Sequence, residues 1–487
     1  MALNLLRDPW IPVLCDDGTT RTIAPWQMAE PGLVRPNWPR PDLNVACYEL
    51  LIGLVFLADP PANNGDWQRR TTTDPECLKE KLAAYTHAFE LLGDGPRFLQ
   101  ELGDLEGEPN PVDMLLIDSA GVNAAKNNAD LMVHRGRYGS LDLPLAAMAL
   151  YALQAHAPSG GAGNRTSMRG GGPMVTMVDP GGGLWPLVWA NVPCGVPGTV
   201  DRLPWMRRTR VSDKGQQTFP PDGHVFGAEA FFGMPRRIRL VADPFGISGV
   251  IQKPWGTDYA LWKHPLSPYY RLKAGGEWMP KHPRAGRFVY RNWLGVVARA
   301  TDSETSELSL SLRDWGQRGG EAAVIVAGWA MDNMKPRDFV LSVQPLLDLS
   351  DSAEDMLTGM VLAAEASGTA LRGALATVVA EGEAREIERE AFFIATEDRF
   401  LGHVRTLKAG GDPRSAWLAD LRRQALKQFD ALAMPGLAHR ETDGIEGIVT
   451  ARKYLIGAFA GYGKQGREIF GQLGMEIPAT GKRKTSA

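Results

Sequence analysis

The chain has 487 residues, 44% of them hydrophobic, and a formal net charge of −3, enough for two or three domains around a large core. So small a net charge argues against a protein that coats nucleic acid nonspecifically. Four scattered cysteines, Cys15, Cys47, Cys77 and Cys194, with no Cys-x-x-Cys pair, argue against a disulfide frame or a zinc site and point to a reducing compartment. The longest apolar run, Leu50 to Ala58, falls far short of the about 20 residues that span a bilayer. No signal peptide opens the sequence, because Met1 to Leu6 soon meets Arg7-Asp8-Pro9, so a soluble cytoplasmic protein is expected.

The charge is unevenly spread. Residues 201 to 300 hold 17 Lys and Arg against 7 Asp and Glu, together with five of the 14 tryptophans, Trp205, Trp255, Trp262, Trp278 and Trp293. Two readings stay open for this window: an electrostatic footprint for a polyanion, or a solvated face over an ordinary aromatic core.

In chain order, Trp10 to Cys15, the turn Asp16-Asp17-Gly18, and Thr19 to Ile23 predict a hairpin. Apolar helices follow near 42 to 58 and 78 to 92. Residues 105 to 141 are mixed and short. Within them Lys126 to Arg137 run polar, then apolar, then basic, as an exposed loop with an anchor would.

Asp142 to His156 read as an apolar helix and Met174 to Val178 as a strand. Between them lies a loop almost without side chains, Ala157-Pro158-Ser159-Gly160-Gly161-Ala162-Gly163-Asn164-Arg165, closed by Arg169-Gly170-Gly171-Gly172-Pro173. Glycine lets backbone approach another molecule closely. The loop is either a mobile surface loop or a surface for phosphate or a nucleic-acid groove, with Arg165 and Arg169 supplying charge. It is neither a P-loop, since no Gly-Lys-Ser/Thr ends it, nor a dinucleotide fingerprint, since Thr166 stands at the third glycine position and the loop joins helix to strand.

From 174 to 345 strand-like runs dominate, among them Leu184 to Val192, Arg237 to Ala242 and Arg287 to Tyr290. Pro and Gly break them throughout, as in an irregular mixed α/β domain. Ala322 to Met331 and Phe339 to Val343 predict a long hairpin whose tip carries Asn333, Met334 and Lys335. An apolar residue between an amide and a cation suits a wedge that parts base pairs from the minor groove. The alternative is a plain turn with its methionine packed inward.

After Ser350 apolar residues recur every three to four positions in four stretches, predicting a four-helix bundle. Residues 351 to 440 carry 11 Lys and Arg against 14 Asp and Glu, a balance that suits a protein-facing module. The expected architecture is therefore α+β, with a large irregular mixed α/β domain over 1–350, a four-helix bundle over 351–474 and a disordered tail over 475–487. The eight histidines show no metal-ligand spacing, and the common hydrolase motifs are absent. No enzyme activity, cofactor or metal is expected, and His264-Pro265 and His282-Pro283 read as structural. A protein-interaction scaffold is one competing reading. A tryptophan-rich hydrolase, which would need two facing carboxylates in a cleft, is the other.

Asn4 to Val13, the glycine loop ending Arg169-Gly170-Gly171, Leu261-Trp262-Lys263-His264-Pro265 and the Asp332-Asn333-Met334-Lys335 tip occur here in one order. Together they resemble the large subunit of the type I-E CRISPR surveillance complex, Cascade: the CasA family. The resemblance covers almost the whole chain, including a C-terminal four-helix bundle. It implies a non-catalytic subunit that reads the short protospacer-adjacent motif in double-stranded DNA and starts strand separation for guide-RNA pairing, with a helicase-nuclease recruited afterwards. By resemblance Gly160, Gly161, Ala162 and Gly163, with Asn164 and Arg165, lie in the minor groove, Lys253 reads the motif, and Asn333, Met334 and Lys335 form the wedge. Some relatives carry Asn-Gln-Ala at that tip, so methionine here replaces a glutamine. Asn128, Met132, His134 and Arg135 correspond to the element that grips the 5′ end of the guide RNA and neighbouring subunits.

Overall fold

The computed structural model describes residues 2–119, 136–161, 163–221, 223–300 and 302–477. Of the tail expected over 475–487, residues 478–487 lie outside them. The chain divides into two compact units, residues 1–287 with 304–346, and residues 288–303 with 347–487. The fold class is the expected α+β one, with small sheets in the first unit and helices in the second.

The first unit opens with β1 (Ile11–Cys15), β2 (Thr20–Ile23) and β3 (Leu33–Pro36), which form an antiparallel sheet ordered β2-β1-β3. Next come α1 (Pro41–Ala58), α2 (Asn64–Arg69), α3 (Pro75–Ala83) and β4 (Asn110–Pro111). α4 (Leu143–His156), β5 (Val175–Asp179) and α5 (Leu184–Ala190) flank the glycine-rich loop and the turn after it. β6 (Arg237–Asp243) and β7 (Gly246–Lys253) pair closely, and β4 joins them on the other edge of β7. β8 (Tyr269–Tyr270), β9 (Met279–Pro280) and β10 (Ser306–Glu307) make a third small sheet. α6 (Leu310–Arg318) leads into the long hairpin of β11 (Ala322–Asp332) and β12 (Lys335–Leu346), whose β11 also pairs with β5.

Several local readings of the sequence are overturned. Leu184 to Val192 is a helix rather than a strand: a left-handed Gly183 (φ 104°) allows a sharp entry, and Pro186 falls in the first turn, where its missing N–H costs nothing. Trp185 and Trp189 then stack one turn apart, ring centroids 5.5 Å. The helix expected over 78 to 92 is shorter and earlier, because the Tyr85 hydroxyl donates to the Gly198 carbonyl at 2.7 Å and the chain bends into a 3-10 turn at Thr86–Ala88. Arg287 to Tyr290 is no strand either, since Tyr290–Asn292 form a single 3-10 turn inside the second unit.

That second unit contains α7 (Asp351–Ala374), α8 (Glu383–Lys408), α9 (Arg414–Ala433), α10 (Thr442–Ala458) and α11 (Gly463–Gln472). The fourth expected helix is thus two, parted at Gly461 and Gly463, whose φ of +85° and +73° only glycine takes without strain. α11 turns back to pack on α7, where Gly359 leaves room for the Gln472 carbonyl. Residues 288–303 complete this core: Tyr290 stacks on Phe400 at 4.2 Å, Trp293 meets the same ring edge-on, and the Tyr290 hydroxyl lies 2.8 Å from Thr396 Oγ1.

In the first unit α1 is buried at every position but Pro41 and Asn44, so its length and apolarity serve a protein core. Glu49 in the middle of it has no exposure at all. A lone buried carboxylate would be expensive, and Glu49 is surrounded by cations and imidazoles. Its Oε1 lies 2.8 Å from His156 Nε2, and its Oε2 lies 2.7 Å from Arg169 Nη2 and 3.6 Å from His264 Nε2. Arg169 also donates to the Ala155 carbonyl and to Ser267 Oγ, both at 3.3 Å. Burial pushes the Glu49 carboxyl up, but the Arg169 guanidinium and then His156 more than offset it and hold it well below the usual carboxylate range. Burial and Arg169 push His264 well below the usual imidazole range. Since His156 ends α4 and Arg169 closes the glycine loop, both ends of that loop are fixed to one carboxylate.

Removing one member should expose the other's cost. Arg169→Met leaves Glu49 buried without its guanidinium partner and should destabilise by about 3–5 kcal/mol, measured by urea denaturation, while Glu49→Gln with Arg169→Met should cost less than the two single changes summed. A carboxyl held low when folded stabilises fully above its unfolded pKa of about 4.3 and loses that contribution as pH falls below it. Acid sensitivity in that range should therefore be weaker in Glu49→Gln.

Candidate nucleic-acid interface

The glycine loop is ordered by its own backbone. Ser167 N–H donates to the Ala157 carbonyl at 2.9 Å, Asn164 N–H to the Gly161 carbonyl at 2.8 Å, and Gly172 N–H to the His156 carbonyl at 3.1 Å. Its tip, Ser159 to Gly161, is exposed, and Gly161 and Gly163 take left-handed φ of +65° and +78°. Ala162 lies outside the described residues.

Two residues at the end of β7 and just past it hold the tip. Gln252 Nε2 donates to Asn164 Oδ1 at 2.7 Å, and Trp255 N–H donates to the Gly163 carbonyl at 2.8 Å. The Trp255 indole lies so close that a Cβ on Gly163 would meet it at 2.7 Å, so this glycine is required by packing as well as by φ. Trp255 itself has φ +62° and remains 40% exposed, a strained bulky residue of the kind that gathers at functional sites.

The arginines differ from their expected roles. Arg169 is 2% exposed and belongs to the Glu49 cluster, so it supplies no surface charge. Arg165 stays 27% exposed but already has partners in the protein: its Nε donates to Ser212 Oγ at 2.8 Å, its Nη1 lies 3.3 Å from Asp258, and it covers the Trp255 ring at 5.5 Å. Lys253 turns the other way from Gln252. Its Nζ sits 3.5 Å from where a Cβ on Gly107 would stand, on the side it shares with Ile251, as strand alternation requires. The residue of β7 that touches the loop is therefore Gln252, and sequence reading missed it because only register separates the two.

The basic window resolves mostly into structure. Trp205, Trp262 and Trp293 are buried. Arg207 and Arg210 pair with Glu229, Arg237 with Glu101 and Lys263 with Glu307. The hairpin tip is tighter than expected: Lys335 already pairs with Asp332, leaving Asn333 and Met334 as a two-residue turn. Both have positive φ, +49° and +62°, the pattern of a type I′ turn that matches strand twist. Asparagine accepts it readily, whereas methionine in this conformation costs about 1–2 kcal/mol. Asn333, Met334 and Lys335 are exposed, Met334 by 46%.

The loop and the hairpin meet. A Cβ on Gly171 would lie 3.2 Å from Met334 Sδ and 2.8 Å from Pro158 Cα, and Gly172 leaves space for the Trp329 carbonyl and the Met331 methyl. Gly171 and Gly172 thus let the tip and β11 lie directly against the loop, while Gly170 leaves room for the His282 ring. Asn128, Met132, His134 and Arg135 lie outside the described residues. Among the described residues no group of three or more His, Cys, Asp or Glu is placed to hold a metal.

The fold has close counterparts. It superposes on CasA of Thermus thermophilus with a TM-score of 0.73 at 19% identity, over 94% of this chain and 99% of that one. Cse1 of Acidimicrobium ferrooxidans gives 0.70 at 18%, over 98% and 99%. A chain of a CRISPR RNA-guided surveillance complex gives 0.70 at 17%, over 93% and 99%. At these identities the likeness is one of fold. A family model described as CRISPR-associated protein Cse1 matches residues 4–428, most of the sequence, and the chain belongs to that family.

Proposed function

We propose that this chain is the large, non-catalytic subunit of an RNA-guided surveillance complex, that it recognises a short motif in double-stranded DNA through the minor groove, and that it starts opening the duplex there. Its partners on this reading are the other subunits of the complex, the guide RNA, the target duplex and a helicase-nuclease recruited after target binding. The Cse1 family membership and the likeness to a chain of a surveillance complex support a role in such an assembly. The observation that carries the DNA reading is the contact of Met334 with the glycine loop, which sets a backbone surface and an apolar finger side by side.

On this reading each part has a physical task. The minor groove offers mainly acceptors, with the guanine amino group as the one added donor, so it separates A·T from G·C and little else. Gln252 donates to the Asn164 side-chain oxygen, which leaves the Asn164 amide N–H groups as donors for base-edge acceptors. Met334 enters between base steps, where lost stacking costs about 1.4 kcal/mol per step and the guide heteroduplex returns a similar amount later. Lys335 supplies charge at the tip, Lys253 on the other face of β7 adds to the positive field around the site, and affinity should fall steeply with salt.

Charge reversal tests the whole reading. Lys335→Glu, alone and with Lys253→Glu, should reduce binding of a motif-bearing duplex by about tenfold or more in electrophoretic shift assays, while assembly of the complex is unchanged. Binding unaltered by both would favour a scaffold with no DNA contact. Gln252→Ala should act on discrimination: the preference for the true motif over a scrambled one should fall by about 1 kcal/mol, the low end for a base-edge contact, in competition titrations.

A further inference from the structure

Behind the tip of the glycine loop stands a cation without a counter-ion. Arg236 is 6% exposed, and among the described residues no carboxylate pairs with it. Its Nη2 donates to the Pro158 carbonyl and its backbone N–H to Gln154 Oε1 at 3.0 Å, while its Nε has no partner. Burial alone pushes its pKa down, to about 10, so the guanidinium remains charged at neutral pH. Other arginines around the loop differ: Arg169 has Glu49, Arg165 has Asp258, and Arg237 has Glu101.

The position of Nη1 is the telling detail. A Cβ built on Gly160 would lie 2.8 Å from it and 2.9 Å from the Asn164 Cβ, so the guanidinium stands, beside the Asn164 side chain, where a side chain at 160 would go. Gly160 is exposed, and with no side chain there nothing of residue 160 but its backbone separates the cation from whatever rests on the loop. A buried charge normally has a partner, and Arg is the side chain best suited to phosphate.

We infer that Arg236 is a phosphate-binding residue whose counter-ion is a backbone phosphate of the target duplex, seated over Gly160. The inference rests on the DNA reading above and adds to it a second reason for glycine at 160: the bare backbone is a window onto a fixed positive charge. Because a phosphate carries no sequence information, Arg236 supplies affinity and register without discrimination.

The test is the salt dependence of duplex binding by the assembled complex. Neutralising one phosphate contributes about 0.9 to the slope of log K against log salt. Arg236→Gln should make the slope shallower by about 0.9 and weaken motif-bearing and scrambled duplexes by the same factor, while Arg236→Lys, which keeps the charge, should retain most of the slope. Gly160→Ala, which places a methyl over the guanidinium, should shift the slope in the same direction and covers the case in which Arg236→Gln fails to assemble. An unchanged slope in Gly160→Ala and in any Arg236→Gln complex that forms overturns the inference. So does loss of motif preference with the slope intact, because that is the mark of a strut under Pro158. If Lys335→Glu abolishes motif-dependent binding while these variants leave the slope untouched, only the phosphate assignment falls. If Lys335→Glu and Lys335→Glu/Lys253→Glu also have no effect, the DNA reading itself fails.

Discussion

The first unit depends on one buried carboxylate. Glu49 sits in a helix buried along almost its whole length and gathers His156, Arg169 and His264 around it. Those three side chains come from the end of α4, the closing arm of the glycine loop and, far along the chain, the segment before β8. A loop of glycines has almost no side chains with which to fix itself, and its conformational entropy is the largest the chain can offer. The ion cluster answers that by holding both its ends, leaving the middle to be shaped by Gln252 and Trp255. Replacing such a cluster with apolar side chains can cost little stability; what an ionic cluster adds is a fixed orientation for each group it holds.

Rigidity at the ends and bareness at the tip suit recognition by backbone. An exposed glycine tip with a methionine finger against its flank offers shape, amide groups and one apolar end, with few side chains in the way. On the function proposed above, such a surface would read groove width and acceptors better than base identity, with detailed sequence reading left to base pairing with the guide. The tight turn at Asn333 and Met334 fits that division of tasks. Glycine at 334 would relieve the backbone and at the same time remove the exposed methionine side chain from the end of the finger.

Much of this was legible in the residues. The helices at 42–58 and 143–156, the glycine loop between helix and strand, and the hairpin with its exposed tip follow from period, glycine content and turn chemistry. So do three of the C-terminal helices. What sequence could not supply was register and partnership. Gln252 and Lys253 are neighbours with opposite directions, and only the pairing of β6 with β7 says which one meets the loop. Arg169 and Arg165 read as surface charge because nothing local shows that Glu49, 120 positions before Arg169, waits beneath one and Asp258 beside the other. A signal did exist for Glu49, a carboxylate in the midst of the apolar run that follows Asn44, and its meaning appears only with the partners in place. Leu184 to Ala190 misled for a different reason, since a short apolar run has no period long enough to tell strand from helix.

The route of the chain between the two units has a practical meaning. It leaves the first unit after Arg287, returns at Glu304 and leaves again after Leu346, so three covalent crossings join them and no single linker does. A protein cut back to residue 346 would retain Tyr290 and Trp293 but lose Phe400 and Thr396, against which they pack. Such a fragment would carry two large aromatic rings into water. The C-terminal helices are therefore not a detachable appendage, and isolating either half calls for excising or reconnecting the 288–303 excursion as well.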